Sequence, residues 1–265
     1  MKTSRFFPIL VLCVLSGCVT SPTGRKQLML LPDSQMNTLG GQSFGQLKSQ
    51  TPIENDPAIN AYVKCIAMAV AREAQEQSSV KDWEVVVFKD PSANAFALPG
   101  GKIGVHTGML SVAKTQHQLA AVLGHEVGHV IARHGNERVS QNMAAGGVLG
   151  AIDSLAKNSP NHGLLMGSLG IGTQLGVLLP YSRSHESEAD KIGVDLMARA
   201  GFDPRESVQL WKNMKEASGG KSPPQITSTH PSNDTRIAAL EAEIPAASAS
   251  WERAKAAGKN PTCRL

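Results

Sequence analysis

The chain has little of what a nucleic-acid binder, a membrane channel or a repeat array needs. Its 265 residues carry 26 Lys and Arg against 22 Asp and Glu, a formal charge of only +4. No basic run with interleaved aromatics occurs, so nucleic acid is not an expected partner. No internal period is visible, which excludes a solenoid. Cysteine is scarce: of four, Cys65 and Cys263 lie outside the first eighteen residues, and neither has a CxxC neighbour that would suggest a metal ligand. Long apolar runs are almost missing. Gly163 to Leu179 is uncharged, but five glycines with Ser168, Thr173 and Gln174 make it a poor membrane span and a better buried or groove-lining helix. Sugar- or peptidoglycan-binding signatures are also lacking, which weakens any reading as a cell-wall hydrolase.

The N-terminus is a targeting segment rather than part of the fold. Lys2 and Arg5 precede an apolar stretch from Phe6 to Leu15, and Leu15-Ser16-Gly17-Cys18 closes it. The length suits a secretory signal and is too short for a stable span. The closing residues resemble a bacterial lipobox, which implies cleavage after Gly17, diacylation of Cys18 and anchoring without a spanning helix. Val19 stands where inner-membrane retention usually has Asp, which implies the periplasmic face of the outer membrane. Loss of residues 1–17 lowers the charge to +2 and leaves 248 residues, enough for one large domain. In an oxidising compartment the remaining pair, Cys65 and Cys263, is expected to form a disulfide.

Residues 18–32 read as a tether from Cys18, with a short strand from Gln27 to Leu31, and residues 33–265 as one domain. Asp33 or Ser34 starts a helix to about Ser49. Asp56-Pro57 opens another, with Ile59, Tyr62, Val63, Ile66 and Val70 at helical spacing. Trp83 to Phe88 has strand composition, and Asn94–Leu98 and Lys102–His106 flank Pro99-Gly100-Gly101 as a hairpin. Thr115 and Gln118 fit a capping box, and Gly135 reads as the stop of a helix of about twenty residues.

That helix carries His125-Glu126-Val127-Gly128-His129. Histidines four apart share one face and can grip one ion. Neutral imidazoles suit Zn²⁺ and leave room for a third protein ligand and a water. Glu126 overhangs the same face as His129, placed to take a proton from that water. A third ligand is sought in Tyr181 to Asp190. If this stretch is helical, Glu186 and Asp190 share a face, so Glu186 can bind zinc while Asp190 accepts the other ring N–H of a histidine ligand. Glu188 points away from that face, and His185 is the rival ligand.

HEVGH, followed about sixty residues later by SRSHESEAD, resembles the HtpX and CAAX-prenyl-protease family of zinc metallopeptidases. TGRKQLMLL, NAFALPGGKIGVHTGML and THPSNDTR at 229–236 extend the likeness over most of the mature chain, and the lipobox places it nearer the periplasmic lipoprotein members. The resemblance implies one Zn²⁺ held by His125, His129 and Glu186, Glu126 as general base, and Asp190 behind the ligands. It leaves His230 two roles: bonding the oxyanion, or latching the open coordination position. Arg236 is implied to hold the His230 loop by ion pairing, and Asn94, Ala95 and Phe96 to form a substrate-binding strand edge with the Asn94 amide as clamp. His106, His117, His134 and His162 match no ligand position.

The expected fold is a predominantly helical α+β, zincin-like metallopeptidase domain with a small antiparallel sheet. The expected function is a lipid-anchored zinc endopeptidase acting on polypeptides, with misfolded or misassembled envelope proteins as substrates and partners. The rival is a chaperone-like or scaffolding lipoprotein with a latched or structural zinc. Residues 139–180 are weakly hydrophobic where membrane-embedded relatives have spans, and the sequence leaves open whether they form a mobile lid over the cleft.

Overall fold

The computed structural model describes residues 18–155, 181–218, 230 and 234–265. The signal segment, His162, the Gly163–Leu179 stretch and most of the 139–180 interval lie outside the described residues. Strand β1 (Cys18–Thr20) pairs antiparallel with β2 (Lys26–Leu28). Helices α1 (Asp33–Gln50) and α2 (Pro57–Glu73) follow. Next come β3 (Glu84–Phe88), β4 (Ala95–Leu98), β5 (Lys102–His106) and the one-turn α3 (Met109–Val112). The rest is helical: α4 (Gln116–Ile131), α5 (His134–Leu155), α6 (Arg183–Arg199), α7 (Arg205–Ser218) and α8 (Asp234–Ala256).

The local chemistry sets several boundaries. Asp56 caps α2 by accepting from the Ala58 and Ile59 amides, with Pro57 at the first helical position. Thr115 caps α4 through the Gln118 amide. The stop of α4 is not at Gly135. The chain turns at Arg133, which takes a left-handed φ of 56°, and restarts as α5 at His134, so Gly135 lies inside a helix. A salt bridge from Arg133 to Asp33 (2.9 Å) holds that non-glycine turn.

Beside the small antiparallel β1–β2 sheet lies a three-stranded mixed one. β4 and β5 form the expected hairpin, its turn made by Gly100 and Gly101 at positive φ, but β3 pairs with β5 in parallel. The chain leaves β3, crosses past β5 to lay β4 on the far edge, and returns in the middle. Side-chain alternation sends Val87, Ala95, Ala97, Ile103 and Val105 into the main core, where residues of α2 and α4 lie. Phe88, Phe96 and Leu98 point the other way and pack with Phe44 of α1. Both faces are covered, which hides the polar–apolar alternation that normally marks a strand.

The residues read as a tether are folded. Gln27 is buried, its amide donating to the Ala132 carbonyl (2.7 Å) at the end of α4, and the Leu30 amide donates to Ser140 Oγ (2.8 Å) of α5. Cys65 of α2 and Cys263 of the tail form a disulfide, with Cα atoms 5.9 Å apart.

Candidate metal centre

Helices α4 and α6 cross through small residues. Gly128 lies against the Ala189 backbone, where a Cβ would come within 2.8 Å of the Ala189 carbonyl oxygen. Backbones this close bring the first turn of α6 onto the second half of α4. Glu186 thereby meets His125 and His129. Its Oε2 lies 3.5 Å from His125 Nε2 and its Oε1 3.5 Å from His129 Nε2. The two histidine Nε2 atoms are 3.1 Å apart. His230 completes the group from its own loop, its Nδ1 3.1 Å from His125 Nε2 and 2.9 Å from Glu186 Oε1.

All four side chains are buried, and one donor atom from each lies within 4.8 Å of the others. Ligands about 2.0–2.1 Å from a tetrahedral zinc are separated by roughly 3.3 Å. The observed spacings straddle that value, so three imidazoles and a carboxylate fit the ion. Burial drives His129 well below its ordinary pKa, which favours the neutral imidazole that binds metal. Burial alone would raise Glu186, but the surrounding His230, His125 and His129 outweigh it and keep the carboxylate ionised.

Glu126 sits beside these donors. It is buried, burial raises its carboxyl above the usual range, and it accepts a backbone hydrogen bond from Ala97 of β4. Its Oε1 accepts no hydrogen bond from any described residue and lies 3.5 Å from His230 Nε2. A buried carboxylate next to a metal site is placed for general-base chemistry.

The supporting groups are equally ordered. Asp190 Oδ1 is 2.9 Å from His125 Nδ1, and the Tyr181 ring stacks on His129 at 4.0 Å. Arg236 lies 3.7 Å from the centre of the Trp211 ring, donates to Asp190 (Nη2–Oδ1, 2.8 Å) and pairs with Glu186 (Nη1–Oε2, 2.6 Å). Its reach is therefore to a metal-facing carboxylate as well as to the His230 carbonyl, 3.5 Å away. A cleft opens alongside, bordered by Ala97, Pro99, His129, Arg133 and Tyr181.

Residues 57–244 match the sequence profile of peptidase family M48. The chain belongs to peptidase family M48. It is similar to "Mitochondrial metalloendopeptidase OMA1" of Schizosaccharomyces pombe, 41% identical over 62% of this chain and 48% of that protein. It is also similar to "Beta-barrel assembly-enhancing protease" of Escherichia coli, 32% identical over 76% of this chain and 42% of the relative. The Saccharomyces cerevisiae OMA1 is 31% identical over 82% of this chain and 66% of its own length. The chain thus spans about half the length of the first two relatives. M48 peptidases use zinc, and the buried His125, His129, Glu186 and His230 are a group that could hold it.

In this M48 chain the other histidines divide clearly. His185, the rival ligand, turns away from the four donors and pairs with Glu137 (Nε2–Oε2, 3.1 Å), and burial with His134 nearby pushes it down to about 4. Glu188 points away from the zinc face, as helical geometry requires, but into a buried pocket rather than to solvent. His106 hydrogen-bonds Ser92 (2.8 Å), and His117 accepts from the Asp203 amide (3.1 Å). His134 is fully buried with its Nδ1 2.9 Å from His129 Nδ1, a role no ligand motif signals.

The strand edge is more selective than a three-residue run. The His106 amide donates to the Asn94 carbonyl, so by antiparallel alternation Phe96 bonds into the ladder while Ala95 and Ala97 turn their backbone groups to the open side. The Phe96 ring is in the Phe44–Phe88 cluster and the Asn94 side chain is buried.

Proposed function

We propose that the chain is a zinc-dependent endopeptidase, anchored by lipid on Cys18 at the periplasmic face of the outer membrane, that hydrolyses peptide bonds in misfolded or misassembled envelope proteins. The observation that carries the reading is the buried Glu126 carboxylate, 3.5 Å from His230 Nε2 among the metal donors and bonded to the Ala97 amide at the open edge of β4. His125, His129 and Glu186 are the metal ligands in this account. Zinc held by them supplies Lewis acidity, making water more acidic and polarising the scissile carbonyl. Glu126 accepts the proton as water attacks the carbonyl carbon, and returns it to the nitrogen as the C–N bond breaks. Asp190, aligned by Arg236, holds the Nδ1 hydrogen of His125 and so keeps its Nε2 free for metal. Substrate lies extended along β4, pairing with the backbone of Ala95 and with the Ala97 carbonyl, the Ala97 amide being taken by Glu126, and forming no bond that depends on its sequence.

The name of the Escherichia coli relative, which refers to β-barrel assembly, supports envelope proteins as substrates. Among the described residues no helix is long and apolar enough to cross a membrane, consistent with anchoring through Cys18. His230, packed among the ligands, also favours a second reading in which the site is latched and the protein acts mainly as a scaffold. Incubating the purified chain with an unfolded β-barrel polypeptide and with murein fragments tests the assignment. Chelator-sensitive cleavage of the polypeptide alone is expected; cleavage of murein alone, or of neither, would overturn it. Cys18→Ser is expected to move the protein from the membrane to the soluble fraction.

A further inference from the structure

The motif TGRKQ, residues 23–27 within the stretch read as a tether, makes an extensive set of polar contacts outside the four donors. Gly24, at φ 94°, closes the β1–β2 turn, with the Ser21 amide donating to the Arg25 carbonyl (2.8 Å) and the Arg25 amide to Ser21 Oγ (3.0 Å). This turn aims the Arg25 guanidinium between two buried carboxylates. Its Nη1 and Nη2 donate to both oxygens of Glu137 (2.7 and 2.6 Å), and its Nε donates to Glu188 Oε2 (3.0 Å). Thr23 Oγ1 donates to the other Glu188 oxygen (2.5 Å), and the Gln27 amide to Glu137 Oε2 (2.9 Å).

Glu188 Oε2 is also 3.1 Å from His134 Nε2, and His134 Nδ1 is 2.9 Å from His129 Nδ1. The hydrogens along this line follow from the reading of His129 as a ligand. An imidazole that binds zinc through Nε2 carries its hydrogen on Nδ1. His129 Nδ1–H must then donate to His134 Nδ1, which leaves the His134 hydrogen on Nε2, directed at the Glu188 carboxylate. Every donor has an acceptor, and only this order of tautomers achieves it. The stacked His185 ring, 4.4 Å from His134 and tied to Glu137, closes the side of the line.

We propose that Arg25 is a positioning residue for the zinc centre: by clamping Glu137 and Glu188 it fixes His134, and His134 fixes the tautomer and ring orientation of His129. The β1–β2 hairpin is then part of the metal site rather than a spacer in front of it. This rests on His129 being a zinc ligand, and the test separates the two claims.

Zinc affinity of the full chain, measured by chelator competition, is compared for wild type, Arg25→Ala, His134→Ala, the double variant, His129→Ala and Lys26→Ala. Lys26 is on the same hairpin, and its side chain donates to Thr20 Oγ1 (3.1 Å) rather than to either carboxylate, so its truncation controls for general loosening of the hairpin. Loss of an outer partner of a metal ligand typically weakens binding about 10–100-fold. Arg25→Ala and His134→Ala are each expected to weaken zinc binding by that order, Lys26→Ala by less than about twofold, and the double variant no more than the worse single one. A Co²⁺-substituted Arg25→Ala protein should also show a shifted d–d spectrum. Unchanged zinc affinity in Arg25→Ala while His129→Ala loses the metal would overturn the positioning role and keep the ligand reading. Full zinc binding by His129→Ala would overturn the ligand reading itself. Additive losses in the double variant would show that Arg25 acts by another route, against the proposal.

Discussion

Gly193 of α6 lies directly against the backbone of His125 in α4: a Cβ at Gly193 would sit 2.6 Å from the His125 nitrogen. The reciprocal contact is as close, with a Cβ on Gly124 meeting the Gly193 carbonyl oxygen at 2.6 Å. Backbone cannot yield as a flexible side chain can, so a methyl group at either position must push the helices apart. The carboxylate of Glu186 rides on α6 while His125 and His129 ride on α4, so separation widens the metal site. Gly193→Ala is expected to cost about 1–3 kcal/mol of stability and to weaken zinc binding at least tenfold, as read by thermal melts and chelator competition. Unchanged zinc affinity would show that the crossing does not set the site.

His230 is placed to compete with water for the fourth position, 3.1 Å from His125 Nε2. In the latched reading it lowers resting activity. His230→Ala is expected to bind zinc still, through three ligands, and to cleave an unstructured peptide faster than wild type. A loss of cleavage at unchanged zinc content would assign His230 to the oxyanion instead.

Acid should loosen the clamp around Arg25. Burial alone would raise Glu137 and Glu188, but hydrogen bonds from Arg25 to Glu137, and from His134, Ser21, Thr23 and Arg25 to Glu188, hold them below the ordinary 4.5 in the folded chain. The unfolded chain therefore binds more protons in that range, and stability from these groups is complete above pH 4.5 and lost as pH falls toward the folded values. In metal-stripped protein, melting temperature should drop more steeply below that pH for wild type than for Arg25→Ala. Parallel curves would contradict this.

The disulfide joins residues 198 apart in sequence. Closing so long a loop limits the unfolded chain, worth up to about 5 kcal/mol by chain entropy. Gln116 holds the same tail separately, donating to the Pro261 carbonyl (2.9 Å) and accepting from the Cys263 amide (2.8 Å). Cys65→Ser with Cys263→Ser is thus expected to lower the melting temperature markedly while leaving zinc content unchanged. A loss of zinc would couple the tail to the centre.

Much of the centre was legible because its pieces are local. Spacing alone puts His125 and His129 on one helical face, and Glu186 with Asp190 on another. The outer groups were not, because each depends on a chain reversal. His134 follows the left-handed turn at Arg133, which no glycine announces, and Gly135 drew the expected stop two residues too late. Glu188 was placed on the correct side of its helix, yet what waits there is Arg25, 163 positions away in sequence. The parallel β3 escaped for a related reason: a strand buried on both faces shows composition but no alternation, and so says nothing of its partner. The polar residues with Pro and Gly that suggest a tether stay mostly exposed, and the contacts that fold them run through a few side chains such as Gln27, which composition does not single out.

The most direct test of the account is Glu126→Gln. The substitution keeps the size of the side chain and the Ala97 contact within reach but removes the base. Zinc content and cleavage of an unfolded polypeptide are measured together for wild type and variant. The account predicts one zinc in each, with cleavage by the variant reduced by about 10²–10⁴-fold. Cleavage at the wild-type rate by zinc-loaded Glu126→Gln protein would contradict it.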